Sequence, residues 1–325
     1  MIEIQPAPAR SNPAASAEPL QLLVHKREAA EVLLTGWYRC GPDAFTVTAH
    51  WPASHRFYES RCGTFDPMLF AETVRQSSLL ISHAAYEVPL GHQLIWEEFS
   101  YAVDPSAMRA DRGPAVVELR LACSDIVRRS ARMAAVTMDL VALSDGVEIG
   151  TARLSFTSNP PAVYKRLRSG RADPVAAMAA AGPAAPAIPP AAVARERRRD
   201  VVLSDADPDG VSDGGPRARW LLRTDTSHPV LFDHVVDHVP GMLLLEAARQ
   251  AALARTSLTR AIPARCDSTF FQYVEFDAPC RIVAEPTLPD ERGRPRVEVV
   301  ALQAGAVAFS CVVTLEAQVH ELSAA

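Results

Sequence analysis

Two stretches of the chain carry the same polar triad in an apolar setting: Glu72, Arg75 and Gln76, and Glu246, Arg249 and Gln250. Residues three and four apart share one face of a helix, so each triad forms a single patch. A lone carboxylate in such a helix costs several kcal/mol. An arginine partner offsets this, although a buried pair often only breaks even against apolar replacements. Two readings follow. Either the pair stitches helix to sheet, or it faces a cleft where the glutamate takes a proton and the arginine holds an anion. The glutamine is suited to satisfying a backbone group.

A histidine-bearing loop precedes each triad. Ser54-His55 leads into the first and Ser227-His228 into the second, where His234 and His238 follow with Asp233 and Asp237 beside them. The spacing of His234 and His238 is that of helical metal ligands. Pro240-Gly241 lies just beyond, so the segment reads as a loop and no metal is expected. A histidine working beside Glu246 suits proton transfer or orientation; loop hydrogen bonds that cap a buried helix are the other reading. His25, His50, His83 and His92 stand alone. There is no glycine-rich phosphate loop and no Gly-x-Ser-x-Gly elbow, and nothing calls for a cofactor.

The elements that position these residues come in two sets. The histidines His55 and His228 are 173 positions apart, and the members of the two triads are each 174 apart. A shared offset across polar residues in apolar context marks an internal duplication. Helices are expected over 67–81 and 241–258. Strands are expected over 93–101, 115–122, 134–143 and 150–156 in the first copy, and over 269–276, 281–285, 296–302 and 306–316 in the second. Shorter strand pairs precede each loop, at 31–35 with 45–49 and at 201–204 with 220–223. The second helix is apolar nearly all round, from Met242 to Leu253, so it must be covered on almost every side. An antiparallel sheet curved about one long helix does this. The fold class is therefore α+β, two tandem hotdog units pairing through their sheets as an internal pseudodimer. A further homodimer is compatible with that arrangement.

Composition sets the limits. With 325 residues, 48% of them apolar, the chain can fill two cores. The units are expected at 20–168 and 201–320. Residues 1–19 and a Pro/Ala-rich linker over 169–200 read as disordered, with the basic run Arg195 to Arg199 as a solvated linker end. A net charge of −5 argues against nucleic acid. Six scattered cysteines read as reduced packing residues. No apolar run reaches membrane-spanning length, and no signal pattern stands at the start, so a cytoplasmic protein is expected.

The stretch Pro240-Gly241-Met242 followed by Glu246-Ala247 resembles the start of the central helix in hotdog hydroxyacyl-carrier-protein dehydratases. There a loop histidine and a helix glutamate do acid–base chemistry; the spacing from His228 to Glu246 here is longer. A fuller resemblance is to the A-factor biosynthesis (AfsA-type) family of γ-butyrolactone and butenolide signal synthases. It rests on Val24-His25-Lys26, Gly36-Trp37, Ser54-His55, Asp66-Pro67, the first triad and Gly91-His92 in copy one. In copy two it rests on His228-Pro229, Phe232-Asp233-His234, Asp237-His238, Pro240-Gly241-Met242 and the second triad. The resemblance implies an acyltransferase that joins a β-ketoacyl group from acyl carrier protein to dihydroxyacetone phosphate, followed by closure to a butenolide phosphate. It implies Glu246 as base or orienter, Arg249 on phosphate or oxyanion, the helix start at Gly241 on the thioester carbonyl, and Glu72 with Arg75 in a second or degenerate site. His55, His228, His234, His238, Gln76 and Gln250 would line the substrate. Alternatives are a hotdog thioesterase or dehydratase, or a non-catalytic acyl- or lactone-binding protein.

Overall fold

The computed structural model describes residues 18–129, 132–205 and 218–317. The expectation for 1–19 lies, except for its last two residues, outside this set. Five helices are present among the described residues: α1 (Leu20–Leu23), α2 (Pro67–Ala84), α3 (Pro161–Leu167), α4 (Pro174–Ala180) and α5 (Gly241–Thr256). The strands of copy one are β1 (Leu34–Arg39), β2 (Ala44–Trp51), β3 (Gln93–Val103), β4 (Ala115–Arg129), β5 (Arg132–Ser144) and β6 (Val147–Asn159). Those of copy two are β7 (Leu203–Ser204), β8 (Ala218–Leu222), β9 (Ile262–Phe270), β10 (Cys280–Thr287), β11 (Arg296–Gln303) and β12 (Ala306–Glu316).

All pair antiparallel in one sheet of order β1-β2-β4-β5-β6-β3-β9-β12-β11-β10-β8-β7. Read inward from either edge, the two halves have the same order. They join through β3 and β9, from Glu98 opposite Thr269 to Ala102 opposite Arg265. This is the expected pseudodimer of hotdog units, each sheet half carrying one long helix. Helix α2 starts on Asp66, whose carboxylate accepts the amide of Met68 at 2.9 Å, with Pro67 in the first turn where its missing N–H costs nothing. Helix α5 packs on β10 and β11, and every residue from Met242 to Leu253 is buried. Burying Met242, Leu243, Leu244 and Leu245 contributes on the order of 6–12 kcal/mol before entropy. The six cysteines are free thiols, with Cys266, Cys280 and Cys311 inside the core. Among the described residues no helix is long and apolar enough to cross a membrane.

Two expectations change. The strand expected at 269–276 lies at Ile262–Phe270 instead. Pro263 hides it, yet Pro263 pairs with Leu315 beside a register shift, where a proline costs the ladder little. The segment 271–276 is a loop, and much of it lines a cavity.

The second change concerns the segment 169–200. It holds α4 and 3-10 turns at Pro190–Val193 and Arg198–Asp200, and Val193, Ala194, Arg195 and Asp200 are buried. Its end repeats the start of copy one at an offset of 169: Val193, Ala194, Arg195, Asp200 and Val202 correspond to Val24, His25, Lys26, Glu31 and Leu33. His25 and Ala194 are both left-handed, with φ of 53° and 55°. The glutamines confirm the match. Gln76 donates to the carbonyl of Glu31 and accepts the amide of Leu33; Gln250 does the same with Asp200 and Val202. Arg195 is thus no solvated linker end but part of the second unit's core.

Candidate active site

The two triads fold alike. In copy one, Oε1 of Glu72 accepts from Arg75 Nη2 and Gln76 Nε2, both at 2.8 Å, and Oε2 accepts from Arg75 Nε at 2.8 Å. Lys26 Nζ lies 3.1 Å from the same carboxylate. In copy two, Glu246 accepts from Arg249 Nη2 at 2.7 Å, Arg249 Nε at 2.8 Å and Gln250 Nε2, and Arg195 Nε adds a bond of 2.9 Å. Burial pushes both carboxyls up, but the cations outweigh it. Arg75 and Lys26 hold Glu72 well below the usual carboxylate range, and Arg195 and Arg249 hold Glu246 at about 2. Both oxygens of each carboxylate are committed to cations. Glu246 also lines neither of the cavities beside the triads, so its geometry fits an anchor for cations rather than the expected base.

His55 and His228, expected at the substrate, form a second matched pair of structural bridges. In each, Nδ1 accepts two backbone amides, those of Phe57 and Tyr58 or of Val230 and Leu231. Their Nε2 atoms lie 3.3 Å from Glu31 and 3.1 Å from Asp200. Both ring nitrogens are engaged, and neither histidine borders a cavity described here. Gln76 and Gln250 are likewise committed to backbone clamps.

What separates the copies is the space beside each triad. A cavity of about 300 Å³ lies between the two units. Copy one contributes His25, Lys26, Glu72 and Arg75, and copy two contributes His234, His238, Pro240 and Gly241. Most of its remaining wall is apolar, including Leu94, Ile95, Trp96, Leu244 and Phe270, with Asp233, Gln93 and Gln272 among the polar groups. Arg75 spends Nε and Nη2 on Glu72 and the carbonyl of Val24, and its Nη1 has no hydrogen-bond partner among the described residues. The first turn of α5 faces the same space. Its N-cap is Pro240, which offers no side-chain cap, and the amides of Gly241 and Met242 have no partner among the described residues. A Cβ on Gly241 would stand 3.1–3.3 Å from Trp96 and Phe270, so glycine allows these rings to close over the helix end.

One loop histidine was expected beside Glu246, but His234 and His238 are placed elsewhere. They lie across the unit interface, on the cavity of Glu72. His238 donates through Nδ1 to Asp237 at 2.7 Å, and Asp237 also receives Tyr164 at 2.7–2.8 Å and Arg168 at 3.1 Å. Burial raises the Asp237 carboxyl, but His238, Tyr164 and Arg168 hold it at about 2. An ionised Asp237 fixes the ring of His238 and holds its proton on Nδ1, leaving Nε2 for chemistry. Burial and Arg75 push His234 down, against the raising influence of Asp233.

The second cavity, about 290 Å³, borders Arg249 but has different walls. Glu59, Asp66 and Glu196 stand among its cations, and few of its residues are large and apolar. The helix start that faces it is already capped by Asp66. Lys26 and His25 are the functional candidates that residue patterns alone left unassigned. The signal for both was the offset of 169 linking Val24-His25-Lys26 to Val193-Ala194-Arg195.

These groups set a pH dependence. Glu246 and Asp237, held near 2, stabilise the fold fully above their ordinary values near 4, and that stabilisation is lost as pH falls toward 2. His25, pushed down to about 3, stays neutral in the fold while the unfolded chain gains a proton below about 6.5. The urea midpoint is therefore expected to fall steadily from pH 7 to pH 4, and His25→Asn to flatten the upper part of that slope. A midpoint flat across this window in the unmodified protein would contradict the neutral imidazole.

The comparisons agree with this architecture. The A-factor biosynthesis hotdog domain matches over residues 10–159 and again over 176–317. A 2-oxo-3-(phosphooxy)propyl 3-oxoalkanoate synthase of Streptomyces virginiae is 39% identical, over 90% of this chain and 95% of that protein. A synthase of the same name from Streptomyces coelicolor is 36% identical over 88% of each. Among solved structures, an acyl-ACP thioesterase from Bacteroides thetaiotaomicron aligns with a TM-score of 0.50 at 12% identity, covering 83% of this chain and 98% of its own. The 12:0-ACP thioesterase of Umbellularia californica aligns with a TM-score of 0.50 at 8% identity, over 86% and 98%. At such identities these two show the fold alone. With both halves matched and with relatives that align along nearly the whole length, this chain belongs to the A-factor biosynthesis hotdog family.

Proposed function

We propose that the protein is an acyltransferase that moves a β-ketoacyl group from acyl carrier protein to the hydroxyl of dihydroxyacetone phosphate, giving an ester that closes to a butenolide phosphate. The relatives named as 2-oxo-3-(phosphooxy)propyl 3-oxoalkanoate synthases support the reaction. The observation that carries the site is the interunit cavity, where cations of copy one face the uncapped helix start of copy two.

Each part of the reaction finds a suited group there. The thioester carbonyl oxygen fits the amides of Gly241 and Met242, where the helix dipole favours developing negative charge. Arg75 Nη1 and Lys26 suit the phosphate, with Glu72 fixing both cations in place. Leu94, Ile95, Trp96 and Phe270 offer the acyl tail an apolar wall. His238, oriented by Asp237, is placed to protonate the leaving thiolate. The cavity beside Arg249 suits the acyl tail less, because few of its residues are large and apolar.

The test is mass spectrometry of products formed by the purified protein from a β-ketoacyl thioester, with and without dihydroxyacetone phosphate. A phosphorylated ester or butenolide that requires the acceptor is expected. Free acid released equally in both arms would instead make it a thioesterase.

A further inference from the structure

The two copies act as each other's control. The triad, the second cation on its glutamate, the backbone clamp of the glutamine and the histidine–carboxylate bridge occur in both, so they belong to the fold. One polar pair occurs in copy one alone. Nε2 of His25 lies 2.9 Å from Nε2 of His83, and Nδ1 of His83 lies 2.6 Å from the carbonyl of Val88. The counterparts in copy two are Ala194 and Ser257. Ala194 holds the same left-handed turn without an imidazole, so the turn does not need one. The pair sits in the copy whose triad opens on the interunit cavity, and His25 is on that cavity's wall.

The hydrogen bonds assign the protons. A carbonyl only accepts, so His83 carries its proton on Nδ1, and in the neutral ring Nε2 is a bare lone pair. The contact with His25 then requires the proton of His25 on Nε2, which leaves Nδ1 of His25 bare. That nitrogen has no hydrogen-bond partner among the described residues. A half-buried acceptor without a partner, beside a substrate cavity, is suited to a hydroxyl.

Building on the acyl-transfer reading, we propose that His25 is a catalytic residue that takes the proton of the acceptor hydroxyl and passes charge to His83. As the acceptor oxygen bonds to the thioester carbonyl carbon, its proton moves to Nδ1 of His25. The Nε2 proton of His25 moves to Nε2 of His83, whose imidazolium is held by the Val88 carbonyl. When the C–S bond breaks, the released thiolate is protonated by His238, which regains its proton from the relay through the cavity. Both histidines of the pair end neutral, and no oxidant or further reactant is needed. Burial, followed by His83, Arg75 and His234, keeps the free imidazole of His25 weakly basic. A phosphate dianion on Arg75 counters part of that influence, so acceptor binding itself raises the basicity of His25.

The test uses the full chain, a β-ketoacyl N-acetylcysteamine thioester and dihydroxyacetone phosphate. His25→Asn suits the left-handed turn, since asparagine tolerates it. It is expected to lower kcat about 10²–10⁴-fold, with KM for the acceptor within about threefold in keeping with a transition-state role and far-UV circular dichroism unchanged. His83→Gln keeps an acceptor for His25 but takes up no proton, and is expected to lose roughly tenfold. His25→Gly leaves room for added imidazole, which is expected to restore at least about tenfold of the loss. An active unmodified protein whose His25→Asn variant keeps kcat within about threefold, or a His25→Gly variant that imidazole does not rescue, overturns the relay alone. An unmodified protein that makes no acceptor-dependent product overturns the acyl-transfer reading and the relay with it.

Discussion

Changing Arg75 to alanine is expected to lower kcat/KM for dihydroxyacetone phosphate roughly 10–150-fold, with most of the loss in KM, because a hydrogen bond to a charged group contributes about 1.5–3 kcal/mol. The reasoning starts from how Arg75 divides its donors. Nε and Nη2 are held by Glu72 and the Val24 carbonyl, while Nη1 is uncommitted and the side chain borders the cavity. Glu72 costs the site one unit of charge but fixes the guanidinium against rotation. Arg75→Lys keeps the charge and loses the fork, so it is expected to fall between the two. Arg249→Ala, assayed on folded protein, is expected to leave KM within about threefold. If Arg249→Ala raised KM and Arg75→Ala did not, the acceptor would belong in the other cavity.

The sequence made the architecture plain and left the choice between copies hidden. The doubled triad gave the duplication, and the nearly unbroken apolar run from Met242 to Leu253 required a wrapped helix, as found. The triads are the same in residue type and in their internal contacts, so they could not say which copy opens on the interunit cavity. That choice lies in less conspicuous residues. Asp66 caps one helix start with its carboxylate, whereas Pro240 offers no side-chain cap and the corresponding amide of Met242 has no partner among the described residues. Both residues stand in the sequence, but their meaning depends on which walls the unit interface brings to them. His234 and His238 show the same limit: adjacency in sequence tied them to Glu246, while pairing of β3 with β9 carries them to Glu72. Arg195 was hidden differently. From Glu31 to His55 is 24 positions and from Asp200 to His228 is 28, so the repeat slips by four at this end. Beside a Pro/Ala-rich stretch, the slipped segment read as solvated linker.

Arg195 also supports a second large effect, this time on stability. Glu246→Ala would leave two buried guanidiniums without their carboxylate, and breaking a buried charge cluster by removing one partner costs about 3–5 kcal/mol. At about 2–4 °C per kcal/mol for domains of 150–250 residues, a fall in Tm on the order of 10 °C is expected. The loss arises from stranded charge rather than from a lost attraction, which gives a sharper check. Replacing Glu246, Arg195 and Arg249 together by leucine or methionine is expected to recover most of the stability, since an apolar substitute for a whole buried cluster is often neutral. The same variants separate structure from chemistry. If Glu246 only anchors its cations, kcat measured on the folded fraction of Glu246→Ala stays within about threefold of the unmodified protein, because no transition-state contact has gone. A collapse of kcat with an unchanged melting midpoint would return the proton transfer to Glu246 and make the cavity beside Arg249 the catalytic one.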